Sequence, residues 1–519
     1  MSVDRRGFSR TQVHCRKCSI AFAGFYDREC GSTLSPSFSS RVDACIECNE
    51  CNGLMTNVRI FSGLARIATL LFLLSAGTAW ADPVLMISID GLKPEYITHA
   101  DEHGLRIPNL RRFVQEGAYA DGVIPVLPSV TYPDHTTLIT GVWPAEHGII
   151  NNPLFDPNHN LGGAWYWYAE SIKVPTLWDV VHQAGIGTAS VSWPVSVNAT
   201  SVDTLIPEFW RTNSPAIGGN DQGRYLMNAV SRPEDMLDEM QKRLGPYMPG
   251  NDTTVENGDT VRTRFALDIL QRKKPGFMTI HLSAMDESEH LHGPFSSEAN
   301  QTLEAVDSMV GQLMQAALAN DPKTKIVIVS DHGFVAITHS VNLSIPFLEA
   351  GLMQLPTKQT GIEAMLSASP QPWKVEFYSG GGVTAIMLHD PADTATKEKA
   401  HTLLTKLAAD RNNGIDSILD EKQIAERGGF PGATYLVVMK PGYTTGSATS
   451  GSLVTGESLL KGSHGFWPLF PEMRSSFFVL GQGVAHHRDL GLIDMCQIAY
   501  RSRRSGREPA YSQAAEAAN

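Results

Sequence analysis

The chain has 519 residues, with 42 Lys+Arg against 54 Asp+Glu, 42% hydrophobic and 18% charged residues, an ordinary globular composition that excludes collagen-like and compositionally disordered proteins. The net charge of −12 argues against a nucleic-acid or acidic-membrane binder, because such partners demand clustered Lys/Arg that release counterions. At this length a single core starts to divide, so one large domain with insertions, or two domains, is expected.

Residues 1–54 carry Cys15, Cys18, Cys30, Cys45, Cys48 and Cys51, which leaves Cys496 alone in the rest of the chain and the body without a disulfide framework. Cys15-x-x-Cys18 and Cys45-x-x-Cys48-x-x-Cys51 have spacings that could grip zinc. The irregular third spacing and the lack of a periodic core favour the other reading, a spurious or disordered extension with Met55 as the true start. From Met55, Arg59 and Arg66 precede an apolar run over 67–76 that closes with the small-x-small Ala79-Trp80-Ala81. Residues 55–81 therefore read as a secretory signal peptide, since the run is too short for the ~20 residues of a spanning helix. The expectation is an exported protein, periplasmic or secreted, that begins at Asp82. The nine basic and six acidic residues before Asp82 leave 33 against 48, a net −15.

In the exported chain, β-rich runs alternate with helical patterns, the signature of a parallel sheet with crossover helices. Strands are predicted at 84–89, 277–282, 325–329 and 475–480, with helices at 107–116 and 300–319 where apolar positions recur at three and four residues. The first three strands deliver carboxylates or imidazoles near their C-terminal ends, where ligands bind in open α/β sheets. Residues 195–262, polar and rich in Asn, Asp, Gly and Pro, read as a surface excursion or lid. Residues 340–460 carry strand signals at 375–378, 382–388 and 434–439 and a helix near 394–409, and read as a small inserted subdomain. The catalytic domain spans 82–495. A polar tail follows over 496–519, with Arg501, Arg503, Arg504 and Arg507 on a frayed terminus. A dinucleotide-type glycine fingerprint and a phosphate-cradling Gly-x-x-x-x-Gly-Lys loop are both missing, which counts against a dehydrogenase or an ATPase.

Asp90-Gly91, the segment Pro128-Ser129-Val130-Thr131-Tyr132-Pro133-Asp134-His135, Asp286-x-x-x-His290, Asp331-His332-Gly333 and Gly462-Ser463-His464-Gly465 carry the chemistry. Each alone is a weak signal; an Asp at a strand end is more often a cap or turn residue. Together, three Asp and three His form a ligand set suited to two zinc-like ions. Two such ions ~3.5–4 Å apart can grip the attacking and leaving oxygens of an in-line phosphoryl transfer. Pro133 and Gly141 bracket a helix over 133–140. The hydroxyl of Thr131, just before it, faces backbone N–H groups that favour a phosphate. Simple N-capping is the competing role for Thr131, which needs activation to act as a nucleophile.

The order Asp90, Thr131-Tyr132-Pro133, Thr140-Gly141, His147-Gly148-Ile149, Asp286-x-x-x-His290-x-x-Gly293-Pro294, Ser330-Asp331-His332-Gly333 and Gly462-Ser463-His464-Gly465 resembles the type I phosphodiesterase/nucleotide pyrophosphatase family of the alkaline phosphatase superfamily. The resemblance covers about 84–495. It implies an α/β sandwich with a central, mainly parallel sheet, helices on both faces and a small inserted subdomain. It also implies a zinc held by Asp286, His290 and His464, a second held by Asp90, Asp331, His332 and Thr131, and a covalent phospho-threonine intermediate that water hydrolyses.

One departure stands out. Asp134 occupies a place where diesterase members of the family usually carry an Asn that donates to a phosphate oxygen, and a carboxylate there would repel phosphate. Tyr132 takes the place of an aromatic that often packs on a nucleobase. Trp165-Tyr166-Trp167-Tyr168 could form a stacking wall or pack beneath a lid. Among His135, His147, His281 and His292, His292 is the one read as orienting a ligand.

The expected protein is a two-zinc hydrolase of phosphodiesters or nucleotide pyrophosphates, acting on small-molecule substrates without nucleic-acid binding or a stable membrane span. Phosphomonoesters and phosphonates are the rival substrates. A non-catalytic, metal-stabilised envelope binding protein is the rival of another class. Sulfatases are set aside because the Thr131 segment does not match their Cys/Ser-x-Pro-x-Arg setting.

Overall fold

The computed structural model describes residues 82–496 except 159, 211–220, 248–251, 356–372, 457 and 482–486. The cysteine-rich and signal-peptide readings of 1–81, and the tail from 497 onward, lie outside the described residues. No helix among the described residues is long and apolar enough to cross a membrane.

Short runs of β-branched and apolar residues build the central sheet. They form β1 (Val84–Ile89), β2 (Ala118–Ile124), β3 (Thr188–Val191), β4 (Thr204–Ile206), β5 (Phe277–Leu282), β6 (Lys325–Val329) and two late strands, Phe477–Leu480 and His487–Gly491. Among the described residues the order is His487–Gly491, β2, Phe477–Leu480, β6, β1, β5, β3, β4. The block from β6 to β4 is parallel throughout. Phe477–Leu480 runs antiparallel to both its neighbours, while His487–Gly491 is again parallel to β2. The sheet is therefore mainly parallel, with one reversed strand that an apolar run alone does not reveal.

Alternation along each strand feeds two cores. In β1, Leu85, Ile87 and Ile89 enter one and Val84 and Met86 the other. Helices Pro108–Glu116, Met236–Leu244, Thr260–Lys273 and Ser297–Asn320 cover the first, through residues such as Phe113, Leu237, Phe265 and Val306. Helices Thr131–Thr140 and Leu177–Gln183 cover the second with Leu138, Ile139, Trp178 and Val181. Each fully buried side chain of this kind contributes about 1.5–3 kcal/mol relative to exposure. That fixes the rigid floor on which the strand ends stand.

Towards its C-terminal edge the second face turns polar. Ser88 of β1, Ser190 of β3 and Thr279 and His281 of β5 are all buried, and Thr279 donates to Ser190 at 2.8 Å. Buried polar groups need partners. Their concentration on the face beneath Thr131–Thr140 prepares the site above.

A second, antiparallel sheet has the order Ile415–Asp420, Ala433–Met439, Val383–Leu388, Val375–Ser379. Helix Thr394–Ala409 packs on it through Ala400, Leu404 and Leu407. These elements fall where the strand and helix patterns of 375–439 are legible in the sequence.

The reading of 195–262 as a surface excursion needs correction. Thr204–Ile206 is the edge strand of the main sheet, and Met236, Leu237 and Met240 lie in the first core. Its polar average hides a few apolar residues at helical and strand spacing, and these decide where it goes.

Candidate active site

The C-terminal ends of β6, β1 and β5, neighbours in the sheet, carry the polar constellation. Asp90 follows β1 directly, and Asp331 and His332 follow β6 after Ser330. After β5, helix Ala284–His292 presents Asp286 and His290 one turn apart. His464 returns from far along the chain because Gly462–Ser463 pairs antiparallel with Val335–Ala336, just beyond His332. Gly465, at φ +75°, closes this return. A Cβ there would lie 1.5 Å from the Gly380 carbonyl oxygen, so only glycine fits.

The helix that carries Asp286 and His290 is anchored from below. Asp259 accepts hydrogen bonds from the backbone N–H groups of Ser283 and Ala284 at 3.0 and 2.9 Å. The Arg262 guanidinium pairs with Asp259 at 2.8 Å, fully buried. A carboxylate at a helix N-terminus also complements the helix dipole.

Six predicted side chains converge. His290 Nε2 lies 3.5 Å from Asp286 Oδ2, and His464 Nε2 lies 3.6 Å from Asp286 Oδ1. His332 Nε2 lies 3.5 Å from Asp90 Oδ1 and 3.3 Å from Asp331 Oδ2. The His332 and His464 rings stack with centroids 3.9 Å apart, joining the two halves. Two ligand-like trios result, one of Asp286, His290 and His464, the other of Asp90, Asp286 and His332; within each, one ligand atom per residue lies within 4.8 Å of the others. Asp331 adjoins the second trio through His332.

Several of these atoms are buried without a hydrogen-bond partner among the described residues: Asp90 Oδ1, Asp286 Oδ1, Asp331 Oδ2, both ring nitrogens of His332 and His464 Nδ1. Burial, followed by repulsion from Asp331 and Asp286, holds the Asp90 carboxyl well above the usual carboxylate range. Burial also raises Asp286. Burial and the neighbouring His332 and His290 rings push His464 well down, to the neutral imidazole. Burial would raise Asp331 too, but the His332, His135 and His281 rings outweigh it and hold this carboxyl low. His290 Nδ1 donates to the Gly462 carbonyl at 3.0 Å, which turns Nε2 toward Asp286. Crowded carboxylates, imidazoles and buried polar atoms without partners are what a divalent cation requires. The donor set fits a metal.

Thr131 opens helix Thr131–Thr140, two residues before the predicted start. Val130 at the N-cap offers no side-chain hydrogen bond, and Gly141 in the left-handed region stops the helix as predicted. Ser129 Oγ donates to the Phe466 carbonyl at 2.9 Å, docking this segment against the one that carries His464. His135 Nδ1 sits 2.8 Å from the Thr131 carbonyl and 3.4 Å from Asp331 Oδ2. Thr131 is thereby tied to both sides of the carboxylate–imidazole cluster.

Two readings of substrate contacts do not hold. The Tyr132 ring is fully buried, edge-on to Trp165, and its hydroxyl donates to Glu208 Oε1 at 2.9 Å. The Asp134 carboxylate is likewise buried and accepts from the Val126 N–H at 3.0 Å. Every residue of this helix is buried, so both side chains are engaged by protein groups, which the linear motif does not show.

The residue that stands at the helix start is Asn152. Its Oδ1 accepts from the Tyr132 N–H at 2.8 Å, while Pro153 forms a β-bridge with Trp165. Asn151-Asn152-Pro153 has the composition of an ordinary turn, which gives no sign of this contact. Trp165, Tyr166 and Trp210 are partly exposed near Tyr132 and Asn152.

Two of the histidines near the motifs differ in their surroundings. His292 is exposed, whereas buried His281 contacts Asp90 Oδ2 at 2.9 Å and Glu208 Oε2 at 3.0 Å. Burial alone would depress His281, but these two hydrogen bonds outweigh it and push its pKa up to about 10.

Comparison with known proteins gives the following. A family model described as "Type I phosphodiesterase / nucleotide pyrophosphatase" matches residues 84–467. Ectonucleotide pyrophosphatase/phosphodiesterase family member 1 of Mus musculus is 24% identical over 261 residues, 48% of this chain and 24% of that protein. An uncharacterized pyrophosphatase/phosphodiesterase of Schizosaccharomyces pombe is 28% identical over 257 residues, 48% of this chain and 44% of that one. The chain thus spans about a quarter to under half the length of these relatives. Among solved structures, murine ectonucleotide pyrophosphatase/phosphodiesterase 5 aligns with a TM-score of 0.55 at 16% identity, over 84% of this chain and 98% of its own. An inactive form of that murine protein in complex with AMP aligns with a TM-score of 0.55 at 15% identity, over 83% and 97%. At such identity the likeness is one of fold.

Proposed function

The chain belongs to the type I phosphodiesterase/nucleotide pyrophosphatase family, and from that premise we propose that it is an exported hydrolase of phosphodiesters or nucleotide pyrophosphates that uses two zinc ions and Thr131 as nucleophile. The observation that carries this reading is the cluster of buried, partnerless Asp and His atoms beside the start of the Thr131 helix. Asp286, His290 and His464 would hold one ion, and Asp90, Asp331 and His332 the other. When bound, such a pair supplies the positive charge that activates a hydroxyl at neutral pH and offsets charge on phosphoryl oxygens.

The chain's own residues supply the rest. Thr131 Oγ1 would give up its proton to solvent and attack phosphorus, while the leaving alcohol or phosphate departs with the electron pair of its P–O bond and takes a proton from solvent; water would then add to the phosphorus of the phosphorylated threonine, break the Thr131 Oγ1–P bond and return one of its protons to the hydroxyl. The helix N-terminus offers its dipole and the Thr131 N–H to the phosphoryl group, since Asn152 takes the Tyr132 N–H and Pro133 has none. With the Oδ1 of Asn152 fixed by the Tyr132 N–H, its amide N–H groups would be the donors to a phosphoryl oxygen. The partly exposed Trp165, Tyr166 and Trp210 give the leaving group an aromatic wall. The murine neighbour's complex with AMP supports nucleotide esters as the first substrates to try.

The test is a substrate panel on the zinc-loaded full chain, with bis-p-nitrophenyl phosphate and a nucleoside p-nitrophenyl phosphate against p-nitrophenyl phosphate. Faster turnover of the diesters supports the reading. Preference for the monoester would make the protein a phosphomonoesterase, and retained zinc with no turnover of any of the three would make it a metal-stabilised binding protein.

A further inference from the structure

Beneath the metal-ligand cluster runs a buried chain of hydrogen bonds that the proposed reaction does not use. Tyr132 OH donates to Glu208 Oε1 at 2.9 Å. Glu208 Oε2 lies 3.0 Å from His281 Nδ1, and His281 Nε2 lies 2.9 Å from Asp90 Oδ2. All four side chains are buried. With Asp90 ionised, as a metal ligand is, the carboxylate oxygens on both sides only accept and both His281 nitrogens donate. These bonds span four parts of the chain: the helix of Thr131, the loop after β4, strand β5 and the end of its neighbour β1, whose Ser88 stands opposite His281 in register.

The Asp90 carboxylate is thereby divided. Oδ2 is held by His281, while Oδ1 is left without a hydrogen-bond partner, facing His332 Nε2 at 3.5 Å. We propose that His281 is a positioning residue that turns Asp90 Oδ1 toward the metal, and that Glu208 and the Tyr132 hydroxyl hold His281 in that orientation. The segment that carries the nucleophile and the ligand geometry of the ion beside it are then set by one set of hydrogen bonds. Such outer partners fix ligand orientation and raise ligand basicity, and their loss typically costs about 10–100-fold in metal affinity. Tyr132 acquires a role different from substrate stacking: its hydroxyl touches no candidate ligand, yet it sets one through two intermediates.

This inference rests on the reading of Asp90 as a metal ligand, and the test separates the two. Zinc dissociation constants are measured on the full chain, without substrate, by competition with a chromophoric chelator, for the wild type, Tyr132→Phe and His281→Gln. Melting temperatures of the metal-free forms and the visible spectra of the cobalt-loaded forms are recorded alongside. The expected result is weakening of one site by about 10–100-fold in His281→Gln and by about three- to tenfold in Tyr132→Phe, the scale of one lost hydrogen bond. The cobalt spectrum should change in both, and their effects should be non-additive when combined. Lower melting temperatures with unchanged zinc affinities and cobalt spectra would make the hydrogen-bond chain merely structural and overturn the inference while leaving the functional reading intact. A wild type that binds no zinc would overturn both.

Discussion

Asn152 and Asp134 show how little of a side chain's direction is written in its neighbours. Asp134 lies three residues after Thr131 and invites a phosphate-facing role, yet its carboxylate is buried on the Val126 N–H and raised by burial first and by Asp331 second. Asp134→Asn keeps the Oδ1 acceptor and the side-chain volume, so kcat/KM for a diester should stay within about threefold of wild type, as for substitutions that leave a contact intact. A large gain would instead put the carboxylate in the phosphate's path. Asn152 lies 21 residues from Thr131 in sequence but one hydrogen bond away in space. Asn152→Ala should lower kcat/KM about a hundredfold, the usual cost of a lost oxyanion donor, with zinc content unchanged; a loss below threefold would exclude it. The six metal-ligand candidates were legible because strand ends gather residues into one place and family order singles them out. His281 was not, because one imidazole inside an apolar strand gives no sign of the two carboxylates that it meets from elsewhere in the chain.

At the scale of elements, the strands and helices were readable where periodicity is strong, as in β1, β5, β6 and helix Ser297–Asn320. The reversed direction of Phe477–Leu480 and the insertion of Thr204–Ile206 into the sheet were not, because pairing is decided by long-range neighbours. The helix Ala284–His292 depends on such a neighbour. Asp259 holds its first two N–H groups and in turn faces the buried Arg262. Asp259→Ala leaves that guanidinium without its carboxylate, a change that typically costs about 3–5 kcal/mol. Urea unfolding should show a loss of that order, together with weaker zinc binding at the site formed by Asp286 and His290. A variant as stable as wild type would show that the pair contributes nothing net. The Arg262 contact to Ser283 Oγ does not replace the lost charge.

Over the whole molecule, the fold stakes stability on uncharged buried imidazoles as well as on its two cores. His147 accepts from the Ile149 N–H through Nδ1 at 3.1 Å, and its Nε2 lies 3.0 Å from Thr137 Oγ1. Burial depresses its pKa to about 3, against about 6.5 in the unfolded chain. Below pH 6.5 the unfolded state takes up a proton that the folded state refuses, so the stability present above that pH falls as pH drops towards 3. The slope from this one residue approaches about 1.4 kcal/mol per pH unit. Urea denaturation of wild type and His147→Gln between pH 7 and 4.5 should show a shallower fall in the variant. Equal slopes would assign the acid sensitivity to other groups.

The architecture brings Asp90, Asp286, His290, Asp331, His332 and His464 from four segments of chain to one edge of the sheet, and His135 joins Thr131 to Asp331 there. Its central claim is that this threonine carries the phosphoryl group. Acid quenching of the zinc-loaded full chain during turnover of a radiolabelled phosphodiester, followed by peptide mapping, tests that claim directly. The expected result is phosphate esterified to Thr131, and neither label nor turnover in Thr131→Ala that still binds zinc. Turnover by Thr131→Ala at the wild-type rate, or label on another residue, would contradict it.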